Sequence, residues 1–247
     1  MESADNFLFN HCDVKQLKST LNLKKEIKMN NMQKAGGYAA LVTGVQFVTI
    51  LVIQFVVLAP LGVAGPGTPP DKVLAVAANS ITPFLIQFLI TGLFSITLLL
   101  GALAVRERLQ AGAPNRMRLA VIAASIGSAL FLANGITSFT GFPSIVAAND
   151  ASAFRTLDAV ANGLIVAAIF AFGWVALLWG WAGLSTKGLP TGLNYVLLLA
   201  GVIAVLAFII PIFGLLGVVV NVVWAFWLGY VLLQPAPMMS AMGMSKS

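Results

Sequence analysis

Charge is what this sequence has least of. Only 9% of its 247 residues are Asp, Glu, Lys or Arg, against roughly a quarter in a soluble domain. With 59% hydrophobic residues and a mean hydropathy of +0.95, a soluble globular fold is excluded. Histidine occurs once, at His11, and cysteine once, at Cys12, both in a polar N-terminal stretch. One cysteine allows no intrachain disulfide and no zinc-type spacing, and one histidine outside the apolar segments cannot ligate a membrane haem. The expectation is therefore no metal and no cofactor. Lysine is missing from the long apolar segments, which removes a retinal-type Schiff base. Asp158 is the only carboxylate placed to lie within one of them. Proton-coupled and voltage-sensing machines carry several intramembrane ionisable groups, so that class is disfavoured. Neither a Gly-rich phosphate loop nor a Ser/His/Asp or Cys/His set is present. No catalytic residue is assigned, and the chain is expected not to be an enzyme.

What the chain has is apolar length. Six segments match the roughly 20 residues that cross a bilayer: Tyr38 to Ala59, Val73 to Val105, Leu119 to Phe139, Leu157 to Leu184, Leu193 to Ile210 and Phe213 to Leu233. The last two form one uncharged stretch interrupted by Pro211, Gly214 and Gly217. A tight helical hairpin is the economical reading; a single tilted helix would leave five spans and put the C-terminus outside. The expected fold is all-α, a polytopic membrane bundle of six transmembrane helices over residues 38–233. A basic tail over residues 1–37 precedes it and a tail over residues 234–247 follows.

Orientation follows from the basic residues. Twelve of the fourteen lie on the N-terminal tail, the C-terminal tail and alternate connections: Lys15, Lys18, Lys24, Lys25, Lys28, Lys34, Arg106, Arg108, Arg116, Arg118, Lys187 and Lys246. Only Lys72 and Arg155 lie on the other connections. The positive-inside rule places the set of twelve, and with it both termini, in the cytoplasm. Trp179 and Trp181 are expected at the cytoplasmic interface as belt residues. A nucleic-acid surface is not expected, because the basic residues flank apolar spans and form no stripe. The first span is too long for a typical signal-peptide core, although Val63 and Ala64 resemble a cleavage site. Upstream, Val14, Leu17 and Leu21 share a helical face, as in an amphipathic helix on anionic lipid; alternatively, Met29 or Met32 is the true start.

Polar residues within the spans gather toward the outer half: Gln54, Asn79, Thr82, Gln87, Asn134, Asp158, Asn162 and Asn221. Asp158 and Asn162 share a helix face with Arg155, and Pro83 is expected to kink span two beside Gln87. The layer reads either as a ligand site or as interhelical hydrogen bonding, and the second is commoner in membranes. Gly217, Asn221, Ala225 and Gly229 recur every four residues along span six, a small-residue face for close helix packing. Either Asp150 or Ser152 is expected to cap helix four after an outer loop from Thr140 to Thr156.

The first span, AGGYAALVTGVQFVTILV, and the closing segments, LPTGLNYVLLLAGVIAVLAF and VVWAFWLGYVLL, resemble the opening helix and closing hairpin of a family of bacterial multi-pass proteins classed as a domain of unknown function. The resemblance implies a bacterial inner-membrane bundle and contributes no catalytic residue. Packing faces without reactive groups point to an accessory or structural subunit or a small lipid-binding bundle. Its partners would be membrane lipids, other membrane subunits or a second copy. The alternative is a carrier of a neutral or amphipathic small molecule through the outer polar layer.

Overall fold

A computed structural model of the chain describes residues 31–63, 65, 67–207 and 212–234. The upstream amphipathic segment, Pro211 and the C-terminal tail lie outside the described residues. Within them the chain is all-helical: α1 (Asn31–Leu61), then α2 (Pro70–Asn79), α3 (Thr82–Leu109), α4 (Pro114–Ala148), α5 (Ala151–Thr186), α6 (Thr191–Ala207) and α7 (Ile212–Leu233). Helices α1, α3, α4 and α5 are long and apolar enough to cross a membrane, while α6 and the described apolar part of α7 are shorter.

Three expectations are corrected at the helix ends. Span two is broken at Ser80, whose extended backbone (φ −155°) separates α2 from α3. Pro83 then sits in the first turn of α3, where its missing N–H would have had no partner anyway, so it opens a helix and kinks none. Helix α4 continues through Pro143 to Ala148, which reduces the expected loop from Thr140 to Thr156 to a turn at Asn149 and Asp150. Asn149 closes α4 in the left-handed conformation (φ 49°). Asp150, and not Ser152, caps α5: its carboxylate accepts from the N–H groups of Ser152 and Ala153, both at 2.9 Å.

Helices α3 to α7 pack as successive neighbours, and α1 closes the ring between α3 and α7. Each closure is a backbone approach over glycine. A Cβ on Gly36 would collide with Ala104 of α3. A Cβ on Gly229 of α7 would meet Leu41 at 2.7 Å and the Gly37 carbonyl at 3.0 Å. Between α3 and α4, a Cβ on Gly135 would lie 2.6 Å from the Gly92 backbone; between α5 and α6, one on Gly201 would lie 2.8 Å from the Gly173 carbonyl. Small residues at such crossings let dispersion and backbone contacts replace the hydrophobic drive that lipid removes.

One end of the ring is basic. Gln33 of α1 donates to the Leu232 carbonyl of α7 at 3.0 Å, and Arg108 of α3 donates to Gly188 at 2.9 Å and Val231 at 2.8 Å. These bonds bring together the start of α1, the α3–α4 and α5–α6 turns and the end of α7. Arg116 lies 4.1 Å over the Trp181 ring and donates to the Ser185 hydroxyl at 2.9 Å. The opposite end is closed by a second apolar cluster around Leu58, Val73, Phe84 and Phe142, with Phe142 in ring contact with Phe84, Phe88 and Phe154.

Gly135→Ala is expected to lower the melting temperature in mild detergent, by about 1 to 3 kcal/mol of stability, because backbone and not a flexible side chain opposes the new methyl. Gly101→Ala, where nothing lies within 4 Å of the added Cβ, is expected to be neutral or stabilising by up to about 1 kcal/mol through helix propensity. Equal losses at the two positions would contradict the packing account.

Candidate functional site

Inside the ring, around the middle of the helices, lies a cavity of about 230 Å³. Six of its lining residues are aromatic. Phe47 of α1 meets Phe94 of α3 at 4.7 Å between ring centroids, Phe94 meets Phe131 of α4 at 5.8 Å, and Phe131 meets Phe172 of α5 at 5.7 Å. Trp179 of α5 and Trp224 of α7 complete the wall edge to face, at 6.2 Å and 77°. On α5 the inward residues Ile165, Ile169, Phe172, Ala176 and Trp179 follow the three-to-four spacing of one helix face.

The space exists because α6 presents only Ala200, Ala204 and Ala207 to it, and α7 presents Gly217, Val218 and Asn221. The bulky faces of α1, α3, α4 and α5 thus oppose the methyl groups of α6 and the small residues of this part of α7. A Cβ added to Gly217 would have a single neighbour within 4 Å, the Ile203 methyl at 3.4 Å.

Polar groups in this wall are few, and several are unsatisfied. The Trp179 indole N–H is buried without a hydrogen-bond partner, an arrangement that costs about 1 to 3 kcal/mol. The Trp224 indole donates to the Asn221 side-chain Oδ1 at 2.6 Å, which orients the Asn221 amide and leaves its Nδ2 without a partner among the described residues. The Thr91 hydroxyl is turned back onto the Gln87 backbone carbonyl at 2.8 Å, whereas the Gln87 side-chain amide has no partner among the described residues. No residue lining the cavity is titratable. The wall can stack on an apolar ring and offer it hydrogen-bond donors.

The polar residues singled out from sequence separate into three environments. Gln87 and Asn221 share the cavity. Asn134, 2% exposed, donates to the Ala161 carbonyl at 2.7 Å and ties α4 to α5. Gln54 lies in a π-helical stretch, Ile53 to Leu58, and donates to the Val63 carbonyl at 3.1 Å, folding back the end of α1. Asn79 is exposed and bonded to the Ala75 carbonyl of its own helix. Asp158 and Asn162 are exposed, and Asp158 forms neither an ion pair with Arg155 nor a hydrogen bond with Asn162.

The small-residue face of α7 divides as well. Gly217 and Asn221 border the cavity; Ala225 is fully buried and Gly229 sits against α1. The two tryptophans expected at the interface part company: Trp181 is 58% exposed and suits a belt position, whereas Trp179 is 2% exposed and faces the cavity. Gln46, which accepts from the Thr97 hydroxyl at 3.0 Å and couples α1 to α3, and Asn194, discussed below, escaped sequence reading. Their signal was available, since each is an isolated amide in an apolar run. Among the described residues, no three His, Cys, Asp or Glu side chains are grouped to hold a metal.

Asn134→Leu is expected to lower stability by about 1 kcal/mol, the usual worth of a hydrogen bond between membrane helices, while Asp158→Asn leaves the melting temperature unchanged. A reversed order of effects would overturn the division of roles. Comparison with protein-family models, with curated proteins and with solved structures finds no match.

Proposed function

We propose that this chain is a six-pass membrane bundle with both termini in the cytoplasm, and that it serves as a small lipid-binding protein that holds one uncharged, ring-containing hydrophobic molecule in the aromatic cavity. The basic end, with Lys34, Arg106, Arg108, Arg116, Arg118 and Lys187, would face the cytoplasm under the positive-inside rule. The resemblance to a bacterial inner-membrane family supports that membrane as its place. Helices α6 and α7 would be the two further crossings, and α2 would lie at the outer end.

The observation that carries the binding reading is the Gln87 side-chain amide, which lines a mostly apolar cavity and has no partner among the described residues. A ligand carbonyl or ether oxygen would satisfy it. An apolar cavity of about 150 Å³ is known to stay dry and to accept benzene; this one, at about 230 Å³, has room for a substituted ring. The wall would contribute stacking on Phe94, Phe131 and Phe172, each favourable ring pair adding about 0.5 to 1.5 kcal/mol. Without an acid, a base or a thiol in the wall, the role supported is holding and shielding a molecule. We assign no catalysis.

Acetophenone and ethylbenzene differ in the carbonyl acceptor and so test the assignment by calorimetric titration of the detergent-solubilised protein. Acetophenone is expected to bind about fivefold more tightly, the net worth of one hydrogen bond. Gln87→Leu should remove that preference. Gly217→Leu, which grows a side chain into the space, should abolish binding of both probes while preserving or raising the melting temperature. Equal affinities in the unaltered protein, or unchanged binding in Gly217→Leu, would contradict the proposal.

A further inference from the structure

A second, larger cavity of about 660 Å³ opens at the basic end, between the α5–α6 turn and the ends of α3 and α7. Arg108 enters it from the last turn of α3. Its Nε and Nη1 are held by the Gly188 and Val231 carbonyls, which fixes the guanidinium plane without neutralising its charge. Among the described residues no carboxylate pairs with it. Lys187 stands on the cavity rim in the left-handed backbone conformation (φ 56°), which is uncommon for a lysine. Its ammonium is likewise without a partner.

The wall between these cations is built for more than charge. Asn194, 1% exposed, donates through Nδ2 to the Leu189 carbonyl at 3.2 Å. Its Oδ1 is buried with no hydrogen-bond partner and lies against Gly183, where any Cβ would collide with it. Thr191 contributes a hydroxyl at the first residue of α6, and Leu184, Leu189 and Val231 contribute apolar surface. Tyr230, 63% exposed, stands at the mouth. Two cations without an acidic partner among the described residues and an adjoining apolar wall match a phosphodiester that continues into hydrocarbon.

We propose that this cavity binds the headgroup of an anionic phospholipid, its phosphate between Arg108 and Lys187 and its acyl chains along the adjoining apolar wall. The site rests on the membrane placement of the bundle and is independent of the aromatic cavity. Gly217→Leu is therefore expected to leave it intact, which separates failure of one proposal from failure of the other.

Native mass spectrometry of the full chain, released from neutral detergent, tests it with phosphatidylglycerol and phosphatidylcholine of matched acyl chains. Phosphatidylglycerol is expected to be retained in preference. Lys187→Asn should weaken that preference about fivefold, the effect of losing one cation near an anionic headgroup. Lys187→Asn is the informative variant, because asparagine tolerates left-handed backbone and the lysine makes no hydrogen bond that folding would miss. Arg108→Gln should abolish the preference, but it also removes bonds to two carbonyls. Equal retention of both lipids, or an unchanged preference in Lys187→Asn, would overturn the proposal. Displacement of the lipid by millimolar inorganic phosphate would overturn the lipid assignment in favour of a free anion.

Discussion

Close approach of helix backbones is the constraint on which the rest of this structure depends. Gly36, Gly135, Gly173, Gly201 and Gly229 each sit where a methyl group would press on the neighbouring helix. They fix the spacing at the α1–α3, α3–α4, α5–α6 and α7–α1 crossings of the ring. Once those spacings are set, the volume left inside is determined by what each helix turns inward. Phenylalanine and tryptophan fill most of it, and the alanines of α6 leave the remainder open. The aromatic cavity is thus a consequence of the crossings. An unfilled apolar space forfeits dispersion contacts on every wall, so occupancy by a ligand would stabilise the bundle.

The ends of the ring obey a different rule. Backbone carbonyls at helix C-termini have no intrahelical partner, and at the basic end they are taken up by Arg108 and Gln33 from other helices. This cross-bracing holds four chain segments together with side chains rather than with a soluble domain. It also leaves Arg108 beside a cavity without an acidic partner among the described residues. The opposite end, closed by aromatic packing around Phe142, has no comparable charge.

The helical class and the approximate core of each long helix were legible in the sequence, because apolar length and turn residues announce them directly. The small-residue spacing on α7 also found its counterpart in Gly229 against Gly37. The cavity was not legible. In a helix apolar on every face, periodicity does not distinguish the side facing lipid from the side facing other helices. Trp179 and Trp181, two residues apart, therefore read alike from sequence, yet one faces the cavity and the other is exposed. The polar residues were read as one layer by depth alone; their rotation about each helix sends Asn134 to α5, Asn221 to the cavity and Asp158 to the surface. Pro83 was misread because its consequence depends on position within a helix, and the break at Ser80 that places it in a first turn has no strong sequence signature.

The central claim is that the aromatic cavity is a ligand site and not a packing defect. The most direct test is gentle purification from native membranes, followed by mass spectrometry of every small molecule that stays bound. The account predicts one uncharged, ring-containing hydrophobic compound near one equivalent per chain, lost when the cavity is filled at Gly217. Protein that is pure, folded and free of any such compound would contradict it.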